Sequence, residues 1–295
     1  MAENGYLALA RSGKNAFWRY LVTNVTIIIS AFAVQTVALI LIIILTGKME
    51  SFIGSGSQFL DTLSPVLVLL LGMAPFPVAL VILGLGVRFL HGRSLRTLLT
   101  ARPQFAWRRL LLSASIWLVL LGLSDLVTAL FITPGNYRLS FDLKAWLPYA
   151  IAALILIPIQ ASTEEFLFRG YLMQSLGLLT RRSWFPLLVS TLVFASLHGA
   201  NSDVLKYGAP LMLAQIALMG LLMGWVTLRG QGLEAALGLH IANNLYGALF
   251  ITYPASALPS PAVFSMKTID PLAGLVGLAI VSVIYLGLMR LFTPD

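Results

Sequence analysis

The segment Ser162-Thr163-Glu164-Glu165-Phe166-Leu167-Phe168-Arg169-Gly170 sets two adjacent carboxylates and a guanidinium in an otherwise apolar stretch. On a helix Glu165 and Arg169 stand at i and i+4, on one face, in the order that favours pairing. Glu164 projects about 100° away, as 3.6 residues per turn requires. The doublet can therefore divide its labour. Arg169 neutralises Glu165, and Glu164 is left to face a reaction as a desolvated general base. Two further clusters follow, Phe194-x-x-x-His198 and His240-x-x-x-Asn244. Each pair shares a helix face. Asn244 is placed either to orient His240 or to donate a hydrogen bond to an oxyanion. A Glu–Arg network that only staples helices, and a histidine that is only a helix contact, are the competing structural readings. The third histidine, His91, falls in a basic loop and is expected to be a solvated bystander.

These groups must be positioned by helices inside a bilayer. The chain has 295 residues, 59% hydrophobic and 10% charged, with a mean hydropathy of +0.91. A soluble domain carries about 25% charged residues. Ionisable side chains are costly in hydrocarbon and persist where they pair, bind an ion or do chemistry. Eight apolar segments are read as spans, at 20–46, 64–90, 108–132, 146–178, 184–199, 209–228, 233–252 and 271–292. The fold class is all-α, a polytopic membrane protein of about eight transmembrane helices. The fourth segment is too long for one simple crossing, so its end, Tyr171 to Thr180, is expected to run along or beyond the interface. Three parts follow: helices 1–3 over 1–140, a catalytic core over 141–255, and an outer loop with the last helix over 256–295.

The net charge of +8 does not indicate nucleic acid, because the basic residues sit in short segments between apolar runs. Thirteen of the nineteen Lys and Arg fall on one side of the predicted topology, five on the other, and Arg169 lies at membrane depth. The positive-inside rule then puts both termini in the cytoplasm. With no cysteine, disulfides and thiolate metal sites are excluded. Among the remaining polar residues, Asp125 is assigned a structural hydrogen-bonding role and Glu234 a charge at a helix start. Gly220-x-x-x-Gly224 suits close helix packing.

Glu-Glu-x-x-x-Arg-Gly, then Phe-x-x-x-His, then His-x-x-x-Asn, on successive hydrophobic segments from about Trp146 to Phe250, resembles the CPBP intramembrane protease family. That family takes its name from CAAX proteases and bacteriocin-processing enzymes. It includes the eukaryotic type II CAAX prenyl endopeptidase and bacterial Abi-type proteins. The resemblance implies hydrolysis of a peptide bond in a membrane-associated protein or peptide, within a cavity of the bacterial cytoplasmic membrane reached from the cytoplasm. It assigns Glu164 to activation of water with His198, and His240 and Asn244 to the oxyanion. Glu165, Arg169 and Phe194 match supporting positions. Members are often described as metalloproteases, and Glu164, His198 and His240 form a conceivable zinc set with water in the open position. A metal-free glutamate mechanism is equally compatible with this inventory, and the absence of thiolates weighs slightly against a tightly bound ion. Two non-enzymatic readings compete. One is a non-proteolytic immunity or scaffold protein binding a peptide or partner helix. The other is an ion-coupled carrier, for which no broken-helix or inverted-repeat pattern is found.

Overall fold

In the computed structural model, residues 4–293 are described. Eight principal helices follow one another: α1 (Phe17–Thr46), α2 (Pro65–Leu90), α3 (Trp107–Ile132), α4 (Leu143–Gly177), α5 (Trp184–Leu197), α6 (Ala209–Gly230), α7 (Glu234–Leu249) and α8 (Pro271–Phe292). All eight predicted segments are helical. Among the described residues, six of these helices are long and apolar enough to cross a membrane. The other two, α5 with 14 residues and α7 with 16, are shorter than the ~20 residues a crossing needs. These are the helices that carry the two histidine motifs.

Local chemistry fixes the helix ends. Ser64, Asp142 and Asp270 cap the starts of α2, α4 and α8 with side-chain oxygens that accept from the first-turn N–H groups. Pro65 and Pro271 occupy the first turn, where no intrahelical donor is lost. Gly47, at φ 66°, ends α1 in the left-handed conformation that glycine tolerates.

The loops at the two ends differ. One end gathers the arginine-rich segments 88–109, 181–182 and 229, together with both described termini. There Asn4 donates to the Leu228 carbonyl, and Thr293 lines a recess with Arg102 and Arg108. The other end is closed by a small sheet in which Phe264–Met266 lies between Tyr137–Leu139, antiparallel, and Ile251–Thr252, parallel.

The central element is α7, which packs against α3, α4 and α6. Its approach to α3 requires glycine: a Cβ at Gly238 would stand 2.2 Å from the Leu110 carbonyl oxygen. The main apolar core joins α3, α5, α6, α7 and α8 through Trp117, Phe194, Met223, Leu239 and Tyr285. Burial of such side chains against one another holds helices that have no hydrophobic drive to associate in lipid.

One expectation is corrected at the arginine-rich end. His91 is buried, not solvated. Its Nδ1 meets the Lys14 carbonyl at 2.9 Å and its Nε2 meets the Tyr171 hydroxyl at 2.8 Å. Burial lowers its pKa, Arg93 and Arg19 add to the lowering, and the Lys14 hydrogen bond opposes it. The end of α4 is packed into the same layer. Tyr171, Met173 and Gln174 are buried, because the amino-terminal segment folds over them. Tyr6 and Leu7 pack with Met173, Leu228, Leu233 and Leu237, and the Tyr6 hydroxyl donates to the Leu98 carbonyl at 2.5 Å.

Candidate active site

Glu164 and His198 are set level by a hairpin. Glu164 lies 13 residues before Gly177, the end of α4, and His198 lies 14 residues after Trp184, the start of α5. Both are ~20 Å from the turn at 1.5 Å per residue. His240 lies only six residues into α7, about 9 Å. The difference is absorbed because α7 starts inside the protein. Glu234 is fully buried, accepting from the Ala106 N–H at 3.2 Å.

The three motifs meet through Glu165. Its Oε1 accepts from Arg169 Nη1 at 2.7 Å and from His240 Nδ1 at 2.8 Å. Glu165 and Arg169 are 0% and 1% exposed, so each charge depends on the other. Arg169 also donates from Nη2 to the Gly220 carbonyl at 3.2 Å and lies over the Phe194 ring, 4.5 Å from its centre. One guanidinium thus ties α4 to α5 and α6. The two glycines of Gly220-x-x-x-Gly224 permit this approach: a Cβ at Gly220 would meet Thr191 at 3.2 Å, and one at Gly224 would meet Leu187 at 2.4 Å.

Just after the glutamate doublet the helix widens into a π-helical stretch, Phe166–Leu172. Such single wide turns recur at functional sites and leave carbonyls short of partners. Ser190 of α5 donates to one of them, Phe168 O, at 2.9 Å.

Because a carboxylate holds Nδ1 of His240, that nitrogen carries the proton and Nε2 is the ring atom turned to the site. Nε2 stands 3.5 Å from Glu164 Oε2. This oxygen is buried and has no hydrogen-bond partner among the described residues. Glu164 and Glu165 are therefore inequivalent, as the helical spacing predicts: Glu165 Oε1 accepts from Arg169 and His240, and Glu164 accepts no hydrogen bond among the described residues.

His198 caps the last turn of α5, its Nδ1 on the Phe194 carbonyl at 2.8 Å and its ring 4.6 Å from the Phe194 ring. That again leaves Nε2 as the outward nitrogen. No hydrogen bond joins His198 to Glu164 among the described residues. Phe194 also meets the His240 ring edge-on, at 6.2 Å, so it separates and orients both imidazoles.

No hydrogen bond joins Asn244 to His240 among the described residues. It belongs to a directed chain of amides. The Trp117 indole, a donor only, gives its N–H to Asn243 Oδ1 at 3.2 Å. Asn243 Nδ2 donates to Asn244 Oδ1 at 3.2 Å, and Asn244 Nδ2 donates to Gln160 Oε1 at 3.0 Å. One N–H of Asn244 remains for another acceptor, as do both of Gln160. Gln160, Asn243 and Trp117 were not picked out from the sequence. Gln160 had a legible signal, since it precedes Glu164 by four residues and shares its face. Asp125 has the structural role expected of it, accepting from Tyr137 and Tyr246, both at 2.7 Å.

Among the described residues no three His, Asp or Glu side chains are grouped to hold a metal ion. Glu164, His198 and His240 are not among any such group, although Glu165 and the Phe194 carbonyl hold only the Nδ1 of each histidine and leave its Nε2 unengaged.

Residues 144–246 match the family described as type II CAAX prenyl endopeptidase Rce1-like. An uncharacterized protein of Bacillus subtilis (strain 168), YyaK, is 28% identical over 262 residues, covering 88% of this chain and 87% of that protein. No solved structure matches the chain. The match runs from the start of α4 into α7 and contains all three polar motifs, so over residues 144–246 the chain is similar to that family.

Proposed function

We propose that this integral membrane protein is an intramembrane endopeptidase that hydrolyses a peptide bond of a membrane-associated protein or peptide. The Rce1-like match supports a CAAX-type intramembrane protease in general. The observation that carries the reading to residues is the division between the two glutamates. Glu165 Oε1 is held by both Arg169 and His240, while Glu164 makes no hydrogen bond among the described residues and its Oε2 only approaches His240 Nε2, at 3.5 Å.

In this reading Glu164 removes a proton from water as the oxygen attacks the scissile carbonyl carbon. His198 shares the water through its free Nε2. The carbonyl becomes an oxyanion, stabilised by the remaining N–H of Asn244 and by His240 in the form that carries a proton on Nε2 as well as on the Nδ1 held by Glu165. Glu164 then returns the proton to the leaving amine as the C–N bond breaks, which balances the reaction without a co-reactant. Phe194 supports the geometry by holding the two imidazoles apart. Similarity to a Bacillus protein favours a bacterial cytoplasmic membrane as the setting.

The test is cleavage by wild type against Glu164→Gln, His198→Ala and His240→Ala, read as new protein termini in membranes at matched expression. Each variant should insert normally and lose cleavage. A phenotype that survives Glu164→Gln would favour the immunity or scaffold reading instead.

A further inference from the structure

The last helix, α8, lies outside the matched region and packs against α6 and α3. Between α6 and α8 runs a groove of about 340 Å³. It is lined by Leu187 of α5, Leu222 and Trp225 of α6, and Ser282, Val283 and Leu286 of α8. The lining is apolar, for its one hydroxyl, Ser282, donates to the Leu278 carbonyl of its own helix at 2.7 Å. The groove opens outward: Trp225 is 47% and Val283 71% exposed. Trp225 stands five residues before the end of α6 and Leu286 six before the end of α8, about 8–9 Å in from the arginine-rich end. That depth is the acyl region of one leaflet, where no water is at hand to fill a groove.

Both walls of the groove run on to charge. On α6, Leu221, Trp225 and Arg229 stand at i, i+4 and i+8 and share one face. The Arg229 guanidinium lies 5.9 Å from the centre of the Trp225 ring. On α8, Ala279, Leu286 and Thr293 recur every seven residues, so the stripe that lines the groove ends at Thr293. Thr293 in turn lines the recess of Arg102, Arg108 and Arg109. The end of α6 borders that recess. The Gly230 carbonyl accepts from Arg102 Nε at 2.8 Å, and a Cβ at Gly230 would stand 3.0 Å from the Arg109 guanidinium. Against these four arginines stands one carboxylate among the described residues, Glu234, fully buried with Oε1 on the Ala106 N–H. The first turn of α3 begins here without a side-chain cap, and its dipole adds to the positive field.

We infer that the groove and its arginine mouth form one binding site for an anionic phospholipid of the leaflet at the arginine-rich end. An acyl chain lies between α6 and α8 against Trp225. The phosphate meets Arg229 and Arg108, the two arginines of the mouth that are exposed. The guanidinium fork matches phosphate oxygens. A free phosphate gains nothing from the apolar groove, and a zwitterionic lipid brings a cation to a place that is already positive. The inference does not depend on hydrolysis.

Bromine on an acyl chain quenches a tryptophan that it touches, and Trp225 is in place to report. The full chain is reconstituted in phosphatidylcholine vesicles that carry a minor fraction of acyl-brominated phosphatidylglycerol or, at the same mole fraction, acyl-brominated phosphatidylcholine. The chain has six tryptophans, and subtraction of the Trp225→Phe signal isolates Trp225. Each variant is first checked for folding by its elution in detergent. The expected result is a preference for the brominated phosphatidylglycerol of about fivefold for each arginine that the phosphate meets. Arg229→Gln and Arg108→Gln should each remove about that factor, and Arg229→Lys, which keeps the charge, should retain the preference. Equal quenching by the two lipids overturns the inference, since it describes ordinary boundary lipid. So does a preference that survives Arg229→Gln combined with Arg108→Gln. A Trp225 signal that neither lipid quenches also overturns it, because protein then covers the groove. A second readout needs no variant: lipid retained by the wild-type protein through purification in mild detergent should be enriched in anionic phospholipid over the source membrane. Retained lipid of the membrane's own composition overturns the inference as well. Neither readout needs turnover, so failure of the protease reading shows separately, as cleavage that survives Glu164→Gln.

Discussion

Arg169→Met should destabilise the protein strongly, and Glu165→Gln should rescue part of that loss. Arg169 supplies a 2.7 Å contact to Glu165, a 3.2 Å hydrogen bond to Gly220 and a place over the Phe194 ring. Both members of the ion pair are buried, and removing one partner of such a pair costs about 3–5 kcal/mol, because the other charge is left uncompensated. Here Glu165 keeps its contact with His240 Nδ1, so the lower bound applies, about 3 kcal/mol. That is roughly a hundredfold in the unfolding equilibrium. In the double variant no charge is stranded, and the glutamine oxygen still accepts from His240. The remaining cost is that of the lost hydrogen bond to Gly220 and the ring contact, about 1–2 kcal/mol. The assay is unfolding in mixed micelles across the four-member cycle. A double variant that loses the sum of the two single losses would refute the reasoning, since it would mean the pair is not coupled. Cleavage should not recover with stability, because His240 is then oriented by an amide in place of a carboxylate.

Other expectations follow from the same geometry. Glu164→Gln should lower cleavage by about 10²–10⁴-fold, the usual contribution of a general base, with unchanged insertion; full activity would sink the assignment. Gln160→Met removes the acceptor that ends the amide chain, and should reduce cleavage by about tenfold or more at near-normal thermal stability, read as initial rates beside melting curves. Gly238→Ala forces a Cβ against the Leu110 carbonyl oxygen, a backbone atom that cannot step aside, and should cost about 3 kcal/mol in the same micelle assay. His91 has a lowered pKa in the folded protein. Below its unfolded value of about 6.5 the unfolded chain binds a proton that the folded one resists. Stability present above that pH should therefore fall on acidification toward pH 5. The slope of melting temperature against pH should be shallower in His91→Gln.

Much of this protein is written in its sequence at short range. Long apolar runs in a bilayer must be helices, because no other backbone arrangement satisfies its own hydrogen bonds in hydrocarbon; all eight segments were found where the runs are. The inequivalence of Glu164 and Glu165 follows from helical pitch alone, as does the pairing of Glu165 with Arg169. What pitch cannot give is the partner on another helix. That Glu165 and not Asn244 orients His240, that Asn244 ends on Gln160, and that Asp125 serves two tyrosines depend on which faces α3, α4 and α7 turn toward one another. Close approach at Gly238 and Gly220 sets those faces, and local sequence does not encode it uniquely. His91 was misread for the same reason. A histidine in a basic loop is soluble by composition, yet residues from the amino terminus and α4 close over it. The burial of Glu234 to His240 at the start of α7 likewise exists only once the chain is folded, because burial belongs to the assembled bundle and not to any one helix.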